Sequence, residues 1–302
     1  MVKDFISRNF SFILLLSMVI GLFIPSPGEI SSFLILGLLF IVIFCSFFQF
    51  DFDKEEIIRN SKVGVIFSIG RYVVLPFLLY YILVPFSEFY AFGAFFVSLM
   101  PAGVSSPAVT GILKGNFNLS VLICISSSIL VVITVPVFVP VFMMGDKDIQ
   151  GLILLKTLFF TILLPFFLHL LFRPIQSVKN RIAKNLPVIV VICLSIILMI
   201  ASAKNKTEIL NNPFQLIDFI IFSFLVLSML YLVGFTMIYN TSLKNKITNS
   251  ISSGLNNMGL AVSLAILFLP HKFAVMYIVS ELAWVSLLIP VKCFMRKKPR
   301  YL

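Results

Sequence analysis

The feature that most constrains this chain is a succession of apolar runs filling it from Phe10 to Phe294, with only short polar breaks between them. Only 12% of the residues are charged and the mean hydropathy is +1.11, whereas roughly a quarter of a soluble domain is charged. A chain of 302 residues has no interior large enough to hide that surface, so a bilayer must cover it. A hydrocarbon core ~30 Å thick takes about 20 residues of α-helix. On that ruler the sequence predicts ten spans, at 10–24, 31–50, 63–84, 89–113, 117–143, 152–172, 186–203, 214–239, 247–270 and 273–294. The first follows Lys3 and Arg8 as a secretion signal would. No small-residue cleavage site comes after it, and Pro25 to Pro27 reads as a loop, so it is kept as a span.

The net charge of +11 comes from 23 Lys and Arg against 12 Asp and Glu. With both termini on one side, and Lys292 at the end of the last span counted with the tail, 17 of the basic residues fall in segments on that side and four on the other, while Arg71 and Lys156 lie inside spans. Membrane insertion selects this asymmetry. Both termini are therefore expected in the cytoplasm, beneath a plasma (inner) membrane, and the basic excess is not read as a nucleic-acid footprint. The tail residues Lys292, Arg296, Lys297, Lys298 and Arg300 suit anionic lipid headgroups. The cysteines Cys45, Cys124, Cys193 and Cys293 lack metal-type spacing and read as small hydrophobes.

Two spans carry helix-disfavouring residues at their centres. The fourth contains MPAGVSSPAVTGILKGN at 100–116, with Pro101, Gly103 and Pro107, and the ninth contains SISSGLNNMGLAVSL at 250–264, with Gly254, Asn256, Asn257 and Gly259. Proline removes a helical donor and glycine weakens the helix. Ser106 and Asn256 lie half a chain apart, each in the fourth member of a five-span set. Five is odd, so the second set enters the membrane inverted, and residues 1–150 and 151–302 read as two inverted repeats. Paired broken helices at corresponding positions are the mark of inverted-repeat transporters, whose freed backbone groups bind ligand and ions; a single break could equally serve tight packing.

Arg71 lies eight residues beyond Val63, about 12 Å into its span, deeper than a snorkelling stem comfortably reaches. A buried arginine faces a bundle interior or a cavity and has a partner. Glu281, near the middle of the last span and three residues before the only tryptophan, Trp284, is the candidate charge partner. It either pairs with Arg71, titrates as a proton carrier, or packs as a polar helix residue. Lys156, His169, Asp218 and His271 lie near span ends, where snorkelling costs little. An intramembrane enzyme is disfavoured by two distant histidines and the lack of HExxH or paired intramembrane aspartates. A channel is disfavoured because filters repeat between subunits, whereas here the symmetry is internal.

Residues 100–145 resemble the bile acid sodium symporter family, in which a Pro-Gly-Gly-Thr-Ala-Ser-Asn pattern precedes a Lys-Gly-Asn turn and a serine-rich fifth helix ending in prolines. Pro101, Gly103, Ser105, Ser106, Lys114, Gly115, Asn116, Ser120, Pro136 and Pro140 fall in register, and GLNNMGLA at 254–261 is similar to the family's Gly-Met-Gln-Asn-Ser-Gly-Leu-Ala. Arsenite permeases and auxin efflux carriers share the plan. The fourth span here has no cysteine at the crossover, against the former, and the Lys114 to Asn116 turn disfavours the latter. The resemblance implies an all-α polytopic fold: a panel of spans 1, 2, 6 and 7, and a core of spans 3, 4, 5, 8, 9 and 10, with the broken spans 4 and 9 crossing at the midplane. It also implies alternating access for a small organic anion, a bile-acid-like or metabolite carboxylate. Sodium is the one implied ligand besides substrate, at Ser106, Pro107, Ser120, Cys124, Ser252, Ser253, Leu255 and Asn256, with a further position at Arg71. Substrate is expected at Ser105, Ser106, Asn256 and Asn257.

At four of these places the chain departs from the pattern. Ser252 replaces a glutamate, Arg71 a glutamine, Pro107 an asparagine, and Cys124 a threonine; a thiol suits a hard cation poorly. A family site with one carboxylate and two sodium ions carries a net charge of +1, and so does a site with Ser252 and Arg71 and no sodium. Arg71 is therefore expected to stand in for a sodium ion, with its guanidinium within about 4 Å of Ser252 to Asn256. The carrier would then be sodium-independent or proton-coupled.

Overall fold

The computed structural model describes residues 9–28, 30–48, 54–143 and 150–297. Lys3, Arg8, Lys298 and Arg300 lie outside them, as do the side chains of Lys292, Arg296 and Lys297, so the lipid-facing reading of the tail falls outside the described residues. The described elements are helices: α1 Phe10–Phe23, α2 Ile30–Phe47, α3 Lys54–Ile69, α4 Leu75–Leu83, α5 Glu88–Leu99, α6 Ser106–Ile112, α7 Phe117–Phe142, α8 Gly151–Leu158, α9 Leu164–Phe172, α10 Gln176–Lys204, α11 Lys206–Asn211, α12 Pro213–Thr236, α13 Leu243–Gly254, α14 Met258–Phe268 and α15 His271–Lys297. Among the described residues, six helices are long and apolar enough to cross a membrane: Ile58–Leu83, Phe117–Phe142, Gly151–Phe172, Gln176–Lys204, Pro213–Thr236 and His271–Val291. Shorter apolar helices occupy Phe12–Phe23, Ser32–Phe47, Glu88–Leu99 and Met258–Phe268. The protein is an all-helical, polytopic membrane protein.

Several helices outrun the apolar runs that predict them. The run starting at 186 becomes α10 from Gln176, continuous through Pro187, because polar residues extend a helix beyond the bilayer without cost. The third predicted span likewise begins earlier, which puts Arg71 at the midpoint of Ile58–Leu83. Two helices widen into π-helical turns, Gly70–Val74 between α3 and α4 and Phe159–Leu163 between α8 and α9. Each precedes a Leu-Pro pair, Leu75–Pro76 and Leu164–Pro165. Proline has no N–H to give and clashes with the carbonyl four residues back, and a π turn relieves both problems.

The chain divides into two compact units that do not follow the sequence halves. One comprises Met1–Asp51, Leu152–Ile217 and Gly259–Val279, the other Phe52–Gly151, Asp218–Met258 and Ser280–Leu302. In the first, α10 packs along α1 and α2, and α9 with its π turn packs on α2. Phe47 meets Phe166 edge-on at 5.2 Å, and Phe48 meets His169 at 4.6 Å. In the second, α3 packs on α7, α4 on α5, and α13 on α6 and α7, with Phe77 edge-on to both Phe95 and Phe138. The second unit holds both interruptions.

Candidate functional site

Helix α5 ends where Met100 turns extended ahead of Pro101, as a residue before proline must. The chain resumes as helix only at Ser106. In the ninth predicted span α13 ends at Gly254, and Leu255 to Asn257 run non-helically. The two breaks meet. Ala102 and Asn256 form an antiparallel bridge, Gly103 N–H donates to the Leu255 carbonyl, and Asn257 N–H donates to that of Pro101 at 2.9 Å. Each break thus satisfies backbone groups the other has freed, as buried polar groups require. Gly103 permits the approach, since a Cβ there would lie 2.9 Å from the Leu255 oxygen.

Beside this crossing lies Arg71, with no exposed surface. Its Nε donates to Ser253 Oγ at 2.6 Å, Nη1 to the Ser98 carbonyl at 2.8 Å, and Nη2 to the Ser253 carbonyl at 2.8 Å and to Asn256 Oδ1 at 3.1 Å. Asn256 Nδ2 in turn donates to the Val97 carbonyl at 2.7 Å. The Tyr72 ring lies under the guanidinium, 4.7 Å from its carbon, and the Tyr72 hydroxyl donates to the Ser252 carbonyl at 2.6 Å. Ser98 lies in the last turn of α5 and Ser253 in the last turn of α13. One cation therefore caps the negative ends of two helices at once, where the last carbonyls lack helical partners.

A second cluster adjoins the first through Ser252. Ser120 Oγ lies 3.1 Å from Ser252 Oγ and 3.4 Å from Ser106 Oγ, Thr110 Oγ1 donates to Ser120 Oγ at 3.3 Å, and Cys124 Sγ lies 3.3 Å from Ser106 Oγ. Cys124 also reaches the Gly103 carbonyl at 3.4 Å, and Ser127 Oγ receives the Ala102 N–H at 3.1 Å. Ser106, Ser120, Ser252 and Thr110 have no exposed surface. These hydroxyls bond one another and include no carboxylate. Pro107 is buried at the start of α6 and offers no side-chain oxygen.

The residues expected at ion sites are thus gathered in one unit, and the guanidinium meets the expected distance to Ser253 and Asn256. Glu281 is buried, at 4% exposure, but is not among the hydrogen-bond partners of Arg71, whose acceptors are all neutral oxygens. Of the expected substrate residues, Ser106 and Asn256 are fully buried with their polar groups bonded internally, while Ser105 and Asn257 keep partial exposure. Tyr72, Ser98, Thr110 and Ser127 were not singled out from sequence. For Ser127 a signal existed: Ser120, Cys124 and Ser127 repeat at i, i+4 and i+7, one face of a helix. Ser98 contributes a carbonyl, which no side-chain identity encodes.

The model of the Sodium Bile acid symporter family matches residues 36–212. The chain belongs to this family. It is accordingly a membrane transporter of the sodium-coupled or a related kind. Comparison with curated proteins gives no match. The sodium that the family name implies would meet two sets of oxygen donors here. At the first cluster the oxygens of Ser253, Ser98 and Asn256 are engaged by a guanidinium. At the second, the hydroxyls of Ser106, Ser120, Ser252 and Thr110 bond one another beside the Cys124 thiol, with no carboxylate among them. The first set already holds a cation, and the second is a neutral hydroxyl cluster beside a thiol.

Proposed function

We propose that this member of the sodium bile acid symporter family carries a small organic anion across the plasma (inner) membrane by alternating access, with Arg71 occupying the place of a coupling sodium ion. The reading includes ten spans in two inverted repeats, both termini cytoplasmic, and a panel that moves against a core. It rests on one observation, that the Arg71 guanidinium caps the ends of both broken helices. In transporters of this architecture, unwound carbonyls and half-helix C-termini hold the coupling cation. A covalently attached cation there contributes the same positive potential permanently and cannot dissociate. Substrate then meets Ser105 and Asn257, the partly exposed members of the expected set, in the field of Arg71.

Uptake into proteoliposomes tests this, using radiolabelled small carboxylates with choline or sodium outside. Saturable uptake that is equal in the two salts supports the reading; uptake that rises several-fold with sodium contradicts it. A proton-coupled variant is favoured by one observation: Glu281 is a buried carboxyl not engaged by Arg71. Under that variant Glu281→Gln removes the dependence of uptake on an imposed pH gradient, while sodium remains without effect. Unchanged pH dependence in Glu281→Gln rules this variant out.

A further inference from the structure

Within the first unit, a groove of ≈390 Å³ runs between α2 and the segment formed by α8 and its π turn, a size typical of small-ligand sites. Leu36 and Phe40 on one side and Ile153 and Phe160 on the other make it apolar, and among the described residues Lys156 is the one charged residue lining it. A methyl group at Gly37 would touch nothing within 4 Å, so the groove floor is open there. The wall residues Ile153 and Phe160 are 48% and 57% exposed. The span that carries them, Gly151–Phe172, is the least buried of the six long ones, at 28% against 33–65% for the rest. That is the composition of a surface turned to lipid. Lys156 stands five residues after Gly151, about 7.5 Å along the helix, which is the depth of a headgroup boundary when Gly151 lies at the interface. Phe160, four residues after Lys156, lies about a turn farther along.

From this placement we infer that the groove is a binding site for an anionic phospholipid, its phosphate on Lys156 and the upper part of one acyl chain along Leu36, Phe40, Ile153 and Phe160. A snorkelling lysine alone attracts any anionic surface without using the groove. Thr157, also on the groove wall, supplies a hydroxyl on the same side as Lys156. The site is independent of the crossover and of the coupling ion, and it stands whether or not Arg71 replaces sodium.

Native mass spectrometry of the purified, delipidated full chain tests the site, with equimolar phosphatidylglycerol and phosphatidylcholine added. Wild type is expected to retain one phosphatidylglycerol adduct in preference to phosphatidylcholine by about five-fold, the effect of roughly one cation near an anionic headgroup. Lys156→Gln should erase that preference. Gly37→Phe should reduce retention of both lipids by filling the floor, and Gly37→Ala, which meets no neighbour, should leave retention unchanged and control for folding. Equal retention of the two lipids by wild type, or a preference that survives Lys156→Gln, overturns the inference. So does a Gly37→Phe protein that melts like wild type and still retains lipid. Displacement of the adduct by millimolar butyrate overturns it as well, because the groove would then belong to a soluble carboxylate.

Discussion

Arg71 is held by four hydrogen bonds to neutral oxygens, so its removal strands the carbonyls of Ser98 and Ser253 and the Asn256 amide oxygen in a buried place. Leaving a buried acceptor unsatisfied costs about 1–3 kcal/mol for each group. Arg71→Met is therefore expected to lower the melting temperature of the purified protein markedly. Arg71→Lys should fall between Arg71→Met and wild type, because an ammonium keeps the charge but cannot fork across Ser253 and Asn256. A thermal melt of the three proteins in one detergent checks the order; an Arg71→Met protein as stable as wild type would mean that the guanidinium is not capping the two helices. Tyr72 shares the task through its ring and its bond to the Ser252 carbonyl, and Tyr72→Phe should cost less, about 1 kcal/mol, the worth of one hydrogen bond.

At the scale of elements, the broken helices depend on close approaches that only glycine allows. A Cβ at Gly254 would come within 2.3 Å of the Tyr231 ring, so Gly254→Ala is expected to destabilise by about 1–3 kcal/mol, and Tyr231→Leu should recover part of the loss by withdrawing the ring. Additive losses in the double variant, measured by thermal melts, would contradict that contact. The positions of the breaks were legible because Pro101, Gly103, Gly254 and Asn256 act locally, through missing donors and weak helix propensity. The true helix ends near Lys54 and Gln176 were not, since hydropathy marks where the bilayer ends and a polar helix continues past it. The π turns escaped for a related reason: Pro76 and Pro165 announce a distortion but not its form. The gathering of Ser106, Ser120, Cys124, Ser252, Ser253 and Asn256 was anticipated through family register. The role of α5, by contrast, is carried by the carbonyls of Val97 and Ser98 and leaves no mark in side-chain identity.

At the scale of the molecule, the proposed topology places Lys184 in the cytoplasm and Lys206 outside. In a Cys293→Ser background, chosen because Cys293 is exposed while Cys45, Cys124 and Cys193 are buried, a membrane-impermeant maleimide applied to intact cells should label Lys206→Cys and spare Lys184→Cys. Labelling of Lys184→Cys alone would invert the protein. The coupling claim is tested most directly by the thermal stability of purified protein in sodium chloride against choline chloride at matched ionic strength, for wild type and for an Arg71→Gln, Ser252→Glu double variant. An ion that binds the native state raises stability by mass action. Equal melting temperatures in the two salts for wild type, with a sodium-dependent rise in the double variant, are the result expected if the guanidinium occupies the ion's place. A sodium-dependent rise in wild type would contradict it and make the protein a sodium-coupled member of its family.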